Sequence, residues 1–224
     1  VPAMRRSRQE RTLLGWLQAL PAAVVQHRPV LNVHYAGTLL QSGEPTGVEM
    51  RLRDAERWLD NTAESGEQPV IIDEAEFRRL PGWIASYRAA QALAVGNVAD
   101  TMLYTRQALD RAAKDDHVLC GAAAALLGLA AWTMGDLAGA YQSYGEGMAH
   151  LQQAGNISDA IGGSIALADI RITQGRRHEA MSIYARGLQL ATEQHPERNQ
   201  PRLRGTADMY VGMSELYREA NDLN

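Results

Sequence analysis

Gly135 and Gly175 stand forty residues apart, and the residues around them recur in step. Five residues after each Gly comes Ala140 or Ala180, four further comes Tyr144 or Tyr184, and three further comes Gly147 or Gly187. Leu127 and Leu167 lie eight before the Gly, followed by Gly128 and Ala168. A fixed period of this length marks a stack of small units, each burying its apolar face against the next. After Gly135, Leu137, Ala140, Tyr141, Tyr144, Met148 and Leu151 fall mostly at three- and four-residue steps, and before it residues 122–134 are apolar on every face. This order repeats around Gly175, and in both places it predicts a helix on each side of the Gly. The Gly between them reads as a left-handed turn. Small residues at matching places predict close approach of the paired helices, and large ones fill the holes.

The same turn is legible further back. Gly96 lies thirty-nine before Gly135, with Thr101, Thr105 and Ala108 at the matching places. Gly43 lies fifty-three before Gly96, with Val48, Leu52 and Ala55, so an insertion separates those two units. Near the end, Asn221 takes the turn position, since Asn tolerates a left-handed backbone next best to Gly. Helices are predicted at 5–20, 30–42, 46–64, 82–95, 98–114, 117–134, 137–154, 157–174, 177–194 and 201–220, with a short one at 22–28. Gly155 is expected to stop the helix before it. Residues 65–72 and the stretch from His195 to Pro201 read as non-helical connectors, with Pro201 suited to a helix's first turn. The fold expected is all-α, a right-handed superhelix of helix–turn–helix repeats forming one continuous domain over residues 1–224.

Composition supports this and removes several function classes. Ala occurs 35 times in 224 residues, and Ala loses no side-chain entropy in a helix. Lys occurs once, at Lys114, without a Gly-rich loop before it, so no Walker-type nucleotide site lies in these residues. The balance of 22 Lys and Arg against 26 Asp and Glu argues against direct nucleic-acid contact. No apolar run is long enough to cross a membrane. A lone Cys120 makes no internal bridge and fits a reducing, cytoplasmic compartment. A sequence opening on Val1 reads as part of something longer.

Leu127-Gly128, Gly135, Ala140, Tyr144 and Gly147 resemble the tetratricopeptide repeat, with Gly in place of its last Ala. Leu167-Ala168, Gly175, Ala180, Tyr184 and Gly187 resemble it as well. The period of 39–40 exceeds the usual 34 of that repeat, which implies a variant with longer helices or loops. Trp16-Leu17, Ala19-Leu20-Pro21, Val25, Arg28-Pro29 and Leu31 resemble the opening of the helical-repeat region of MalT-like regulators, the large ATP-binding members of the LuxR family. Arg88-Ala89, Gly155-Asn156 and the closing Glu219-Ala220-Asn221-Asp222-Leu223 are similar to the same family. The resemblance implies an effector-sensing or partner-binding segment of a transcription regulator. Its partners would be a small-molecule effector or a regulatory protein, together with ATPase and helix-turn-helix domains elsewhere in the parent chain. It carries neither activity onto these residues. A stand-alone scaffold that docks peptides or proteins is the alternative.

In the tetratricopeptide pattern, the first helix of each pair lines the concave face. Laid on this sequence, the pattern selects Trp83 and Ser86, then Trp132, Asp169, Glu215 and Arg218. These mix an apolar wall with polar groups, as a ligand site does. Each has a plainer reading, Trp132 as core and the carboxylates as solvated. Arg88 occupies the place where the better repeats carry Leu127 and Leu167, so it needs a carboxylate or carbonyl partner. It reads either as an anion contact in the groove or as a structural ion pair. His117 and Cys120 share a helix start, but two ligands make no zinc site. Arg176-Arg177-His178 reads as a solvated basic face. No nucleophile, base or paired-carboxylate set appears, so an enzyme is not expected, and no cofactor or metal is called for.

Overall fold

The computed structural model describes residues 9–59, 68–194 and 205–220. Among them are eleven α-helices and no strand. These are α1 (Glu10–Gln18), α2 (Ala22–Gln26), α3 (Pro29–Gln41), α4 (Val48–Glu56), α5 (Glu74–Ala94), α6 (Val98–Arg111), α7 (His117–Thr133), α8 (Leu137–Gln153), α9 (Ile157–Thr173), α10 (Arg177–Gln194) and α11 (Thr206–Glu219). The chain falls into two compact units, residues 1–119 and 120–224.

In the first unit α3 packs on α4 and α5 on α6, and α1 and α2 lie against α3. Leu13, Leu14 and Leu17 from α1 join Val33, Ala36 and Leu39 from α3, Val48, Leu52 and Ala55 from α4, and Leu80 and Ile84 from α5 in one core. Val48, Leu52 and Ala55 are fully buried, as are Thr101, Thr105 and Ala108. These are the six residues that the repeat pattern assigns to its helix contacts.

Helix α5 departs from the expected 82–95. It starts at Glu74, because the Asp73 carboxylate accepts from the backbone N–H groups of Ala75 and Glu76 at 2.9 and 3.0 Å and caps the helix there. Pro81 lies inside it. A proline in a helix interior forfeits one backbone bond and costs about 3 kcal/mol. Leu80 and Ile84 beside it are buried in the core, which offsets that cost. Helix α4 ends at Glu56, short of the expected 64, and residues 60–67 lie outside those described. The part of the 65–72 connector that is described has no helix, and Val70 donates its backbone N–H to His27 O at 2.7 Å.

The second unit holds most of α7 and all of α8 to α11. Gly135 and Gly175 have φ of 83° and 73°, the left-handed region that a side chain rarely adopts. Behind them Asp136 N–H reaches back to Ala131 O at 3.0 Å and Arg176 N–H to Arg171 O at 2.8 Å. This six-to-one closure satisfies carbonyls that a helix end otherwise leaves orphaned. Gly43, Gly96 and Gly155 share the same backbone hand, as expected for the other turns. Asn221, Pro201 and the connector from His195 lie outside the described residues.

Ala140 and Ala180 are fully buried where the paired helices cross. A Cβ on Gly128 would sit 2.7 Å from Tyr144 N and 3.0 Å from Ala140 O, so only Gly lets α7 approach α8 this closely. Three helices are also tied through Arg171 of α9. Its guanidinium lies 3.4 Å from the centre of the Tyr141 ring on α8, and its Nε is 3.1 Å from Glu179 on α10.

Candidate functional site

In the first unit, Trp83, Ser86 and Arg88 all come from α5. Ser86 is buried. Trp83 is half-buried against the core, its ring tilted 39° over Tyr87 with centroids 5.6 Å apart. Arg88 turns toward α4. Its Nη1 and Nη2 donate to the two Glu56 carboxylate oxygens at 2.6 and 2.7 Å. Its Nε and Nη2 donate to those of Glu49 at 3.2 and 3.0 Å. Burial acts to raise the Glu49 carboxyl, but the hydrogen bonds from Arg88 and Arg53 outweigh it and hold it below the ordinary range. Hydrogen bonding to Glu56 raises the Arg88 guanidinium, against burial and with help from Glu49. All three Arg88 nitrogens are thus engaged inside the unit, by partners 32 and 39 residues away in sequence.

In the second unit, Trp132 is half-buried beside Ala131, Ala140 and Ile170. Asp169 is half-buried on α9, while Glu215 and Arg218 are exposed on α11. Asp169 accepts a hydrogen bond from Tyr184 Oη of α10 at 3.4 Å. Gly212 makes room for that phenol, since a Cβ there would lie 2.6 Å from Tyr184 Cζ. Burial raises the Asp169 carboxyl, the Tyr184 hydroxyl counters it, and the Glu215 charge raises it further. Tyr184 is pushed up to about 12 by burial and then by the Asp169 charge. Among the described residues, neither Asp169 nor Glu215 has an ion pair.

The structure therefore brings Asp169 and Glu215 within electrostatic reach and adds Tyr184, which the sequence pattern had assigned to packing alone. The repeat position of Tyr184 is a packing position, and its hydroxyl reaches beyond that role. Such a group can accept hydrogen bonds and balance a positive charge. The basic cluster at the start of α10 is exposed and internally paired, Arg176 with Glu179 at 2.5 Å and Arg177 with Glu219 at 3.1 Å. Among the described residues, no group of three or more His, Cys, Asp or Glu is placed to hold a metal ion. None of the described helices is long and apolar enough to cross a membrane.

The family model described as the MalT-like TPR (tetratricopeptide repeat) region matches residues 82–224, from within α5 through α11. No curated protein matches the chain.

Proposed function

Because this chain belongs to the MalT-like TPR region family, we propose that it is the effector-sensing or partner-binding segment of a LuxR-family transcription regulator. In this reading it is cytoplasmic and non-catalytic, and it acts as one repeat domain beside ATPase and helix-turn-helix parts of a parent chain. The effector, a small molecule or a regulatory protein, binds the face formed by the first helices of successive pairs. Trp132 offers an apolar wall, and Asp169 and Glu215 offer directional acceptors. One observation carries this reading. Asp169 is partly withdrawn from water beside a second carboxylate and, among the described residues, has no ion-pair partner. A desolvated charge of that kind is costly unless something pairs with it, and such groups concentrate at binding sites. Trp83 and Ser86 on α5 are the matching positions of the first unit, where Arg88 serves the ion pairs with Glu49 and Glu56.

Sensing follows if the effector binds one conformation of the repeats more tightly than another, since only differential affinity shifts a population. The test is a thermal-shift screen of small polar cations and basic peptides against the chain. A ligand at a hundred times its Kd adds about 2.7 kcal/mol to stability. The shift should vanish in Asp169→Asn and weaken in Trp132→Ala. A ligand that stabilises Asp169→Asn as well as the parent chain would remove this face from the site. The peptide-docking scaffold remains the second reading, and basic peptides binding with no change in the conformation of the repeats would favour it.

A further inference from the structure

Helix α5 begins at Glu74, ahead of the position that the repeat pattern gives it, and its extra turns meet α3 through a charged contact. The His34 ring of α3 touches the Glu76 carboxylate of α5 through Nε2 and Oε1, across 42 residues of sequence. The two side chains are 17% and 35% exposed, so water and salt screen the pair only in part. Glu76 lies in the first turn of α5, where the backbone dipoles favour an ionised carboxylate. Further along, Pro81 supplies no N–H to the Phe77 carbonyl, which weakens the link between these turns and the rest of the helix. Trp83 and Ser86 follow directly after that break.

The other charges on the elements packed around α3 are engaged elsewhere. Helix α3 itself carries no Asp, Glu, Lys or Arg. Helix α1, with Glu10 and Arg11 at its start, meets the core through Leu13, Leu14 and Leu17. Helix α2 has no charged residue, and His27 just after it contacts Ala23 O and the Trp58 ring. On α4, Glu49, Arg53 and Glu56 belong to the Arg88 network, Asp54 accepts from Arg57, and Arg51 lies over the Tyr35 ring. At the start of α5, Asp73 caps the helix, Arg78 donates to Glu74 O, Arg79 donates to Asp115, and Glu74 is exposed. Glu76 is the charge that α5 turns toward the ring.

We propose that His34 and Glu76 form a proton-operated latch. Protonation of His34 turns the contact into an ion pair that holds the first turn of α5 on α3, and loss of the proton loosens that turn. Histidine suits the role, because its charge changes within the physiological pH range. The neutral ring can still donate one N–H to the carboxylate, but a charge-assisted bond is roughly twice as strong. Phe77 and Leu80 stay packed on the core in both states, so the turn frays without detaching. A carboxylate beside the ring makes the folded state hold the proton more tightly than the unfolded chain does. The latch therefore contributes fully below the ordinary His value of about 6.5 and is lost as pH rises through the higher folded-state value.

Amide hydrogen exchange of the 1–224 chain between about pH 5 and 8 tests this. The reporter is Phe77, whose N–H bonds to Asp73 O at 3.0 Å in the turn that the latch holds. Corrected for the intrinsic rate, its protection should fall by roughly three- to tenfold as pH rises, the effect of about half to one pH unit of difference in proton affinity. The Thr101 amide on α6, bonded to Asn97 O at 3.0 Å, should keep its protection. Glu76→Gln retains a hydrogen-bonding side chain and removes the charge, so Phe77 protection should become flat with pH. In the same variant the His34 ring signals should change at a lower pH than in the parent chain, as read by NMR. Glu74→Gln, exposed on the same turn, should retain the parent's pH dependence. His34→Gln should also give a flat profile, and if that more enclosed site does not fold, Glu76→Gln decides alone. Phe77 protection that is independent of pH in the parent, or a pH dependence that survives in Glu76→Gln, overturns the proposal.

Discussion

Tyr184 donates its hydroxyl to the Asp169 carboxylate at 3.4 Å, joining the second helix of one pair to the open face of its first. The bond is long for an O–H donor, and it is set against burial and the Glu215 charge, both of which disfavour the ionised acid.

The titration of Asp169 should therefore respond to each neighbour with a definite sign. By NMR its pKa should lie above that of an ordinary Asp. Glu215→Gln should lower it, and Tyr184→Phe should raise it further. A raised folded-state pKa means that the native state holds the proton more tightly than the unfolded chain does. Stability should therefore fall as pH rises from the ordinary Asp value through the raised one, then level off. Asp169→Asn should abolish that component of the pH dependence in urea melts. An unchanged profile would show that the carboxyl is well solvated.

Arg88 should behave in the opposite sense. Arg88→Met leaves Glu49 and Glu56 close together with no guanidinium between them, and the expected loss in urea melts is about 1–3 kcal/mol, discounted for their partial exposure. Arg88→Lys should recover only part of it, because one ammonium cannot replace a planar fork that serves two carboxylates. The depressed Glu49 pKa contributes stability that is present above the ordinary Glu value and is lost as pH falls through the folded-state value. That acid-side loss should shrink in Arg88→Met.

Helix crossings in the second unit should tolerate no added volume. Ala140→Leu and Ala180→Leu should each cost about 1–3 kcal/mol by overpacking. Gly128→Ala should be destabilising too, since its new Cβ meets the backbone of α8 rather than a movable side chain. Near-neutral melts at all three positions would contradict the pairing of α7 with α8 and α9 with α10.

Trp132→Ala separates a wall of the binding face from a core residue. A fully buried Trp costs about 3–5 kcal/mol when truncated. Trp132 is half-buried, with part of its surface against Ala131, Ala140 and Ile170, so its loss should fall below that range. A loss within the range would assign it to the core and leave Asp169 and Glu215 as the polar candidates on that face.

The turns and the helix contacts were legible in the residues because each depends on local rules. Gly43, Gly96, Gly135 and Gly175 were expected at left-handed turns, and they have that hand. Ala140, Ala180, Thr101 and Val48 were expected at contacts, and they are buried. The start of α5 was harder to read. Pro81 looks like a boundary, yet the Asp73 cap eight residues earlier begins the helix and packing carries it through.

A chain of this kind determines by itself where its backbone turns and which residues are small enough for two helices to cross, because steric limits on φ and Cβ volume act within a few residues. The partners that meet across helices were decided by tertiary structure. Arg88 could be known to need a carboxylate, but Glu49 and Glu56 were chosen by how α4 lies along α5. Asp169 could be placed on a face, but Tyr184 and Glu215 reach it from two further helices whose rotation about their own axes sets the geometry. A small rotation of one helix moves a side-chain tip by several ångströms, about the difference between a hydrogen bond and none. That rotation is set by the packing of the helix on its neighbours, which no local pattern encodes.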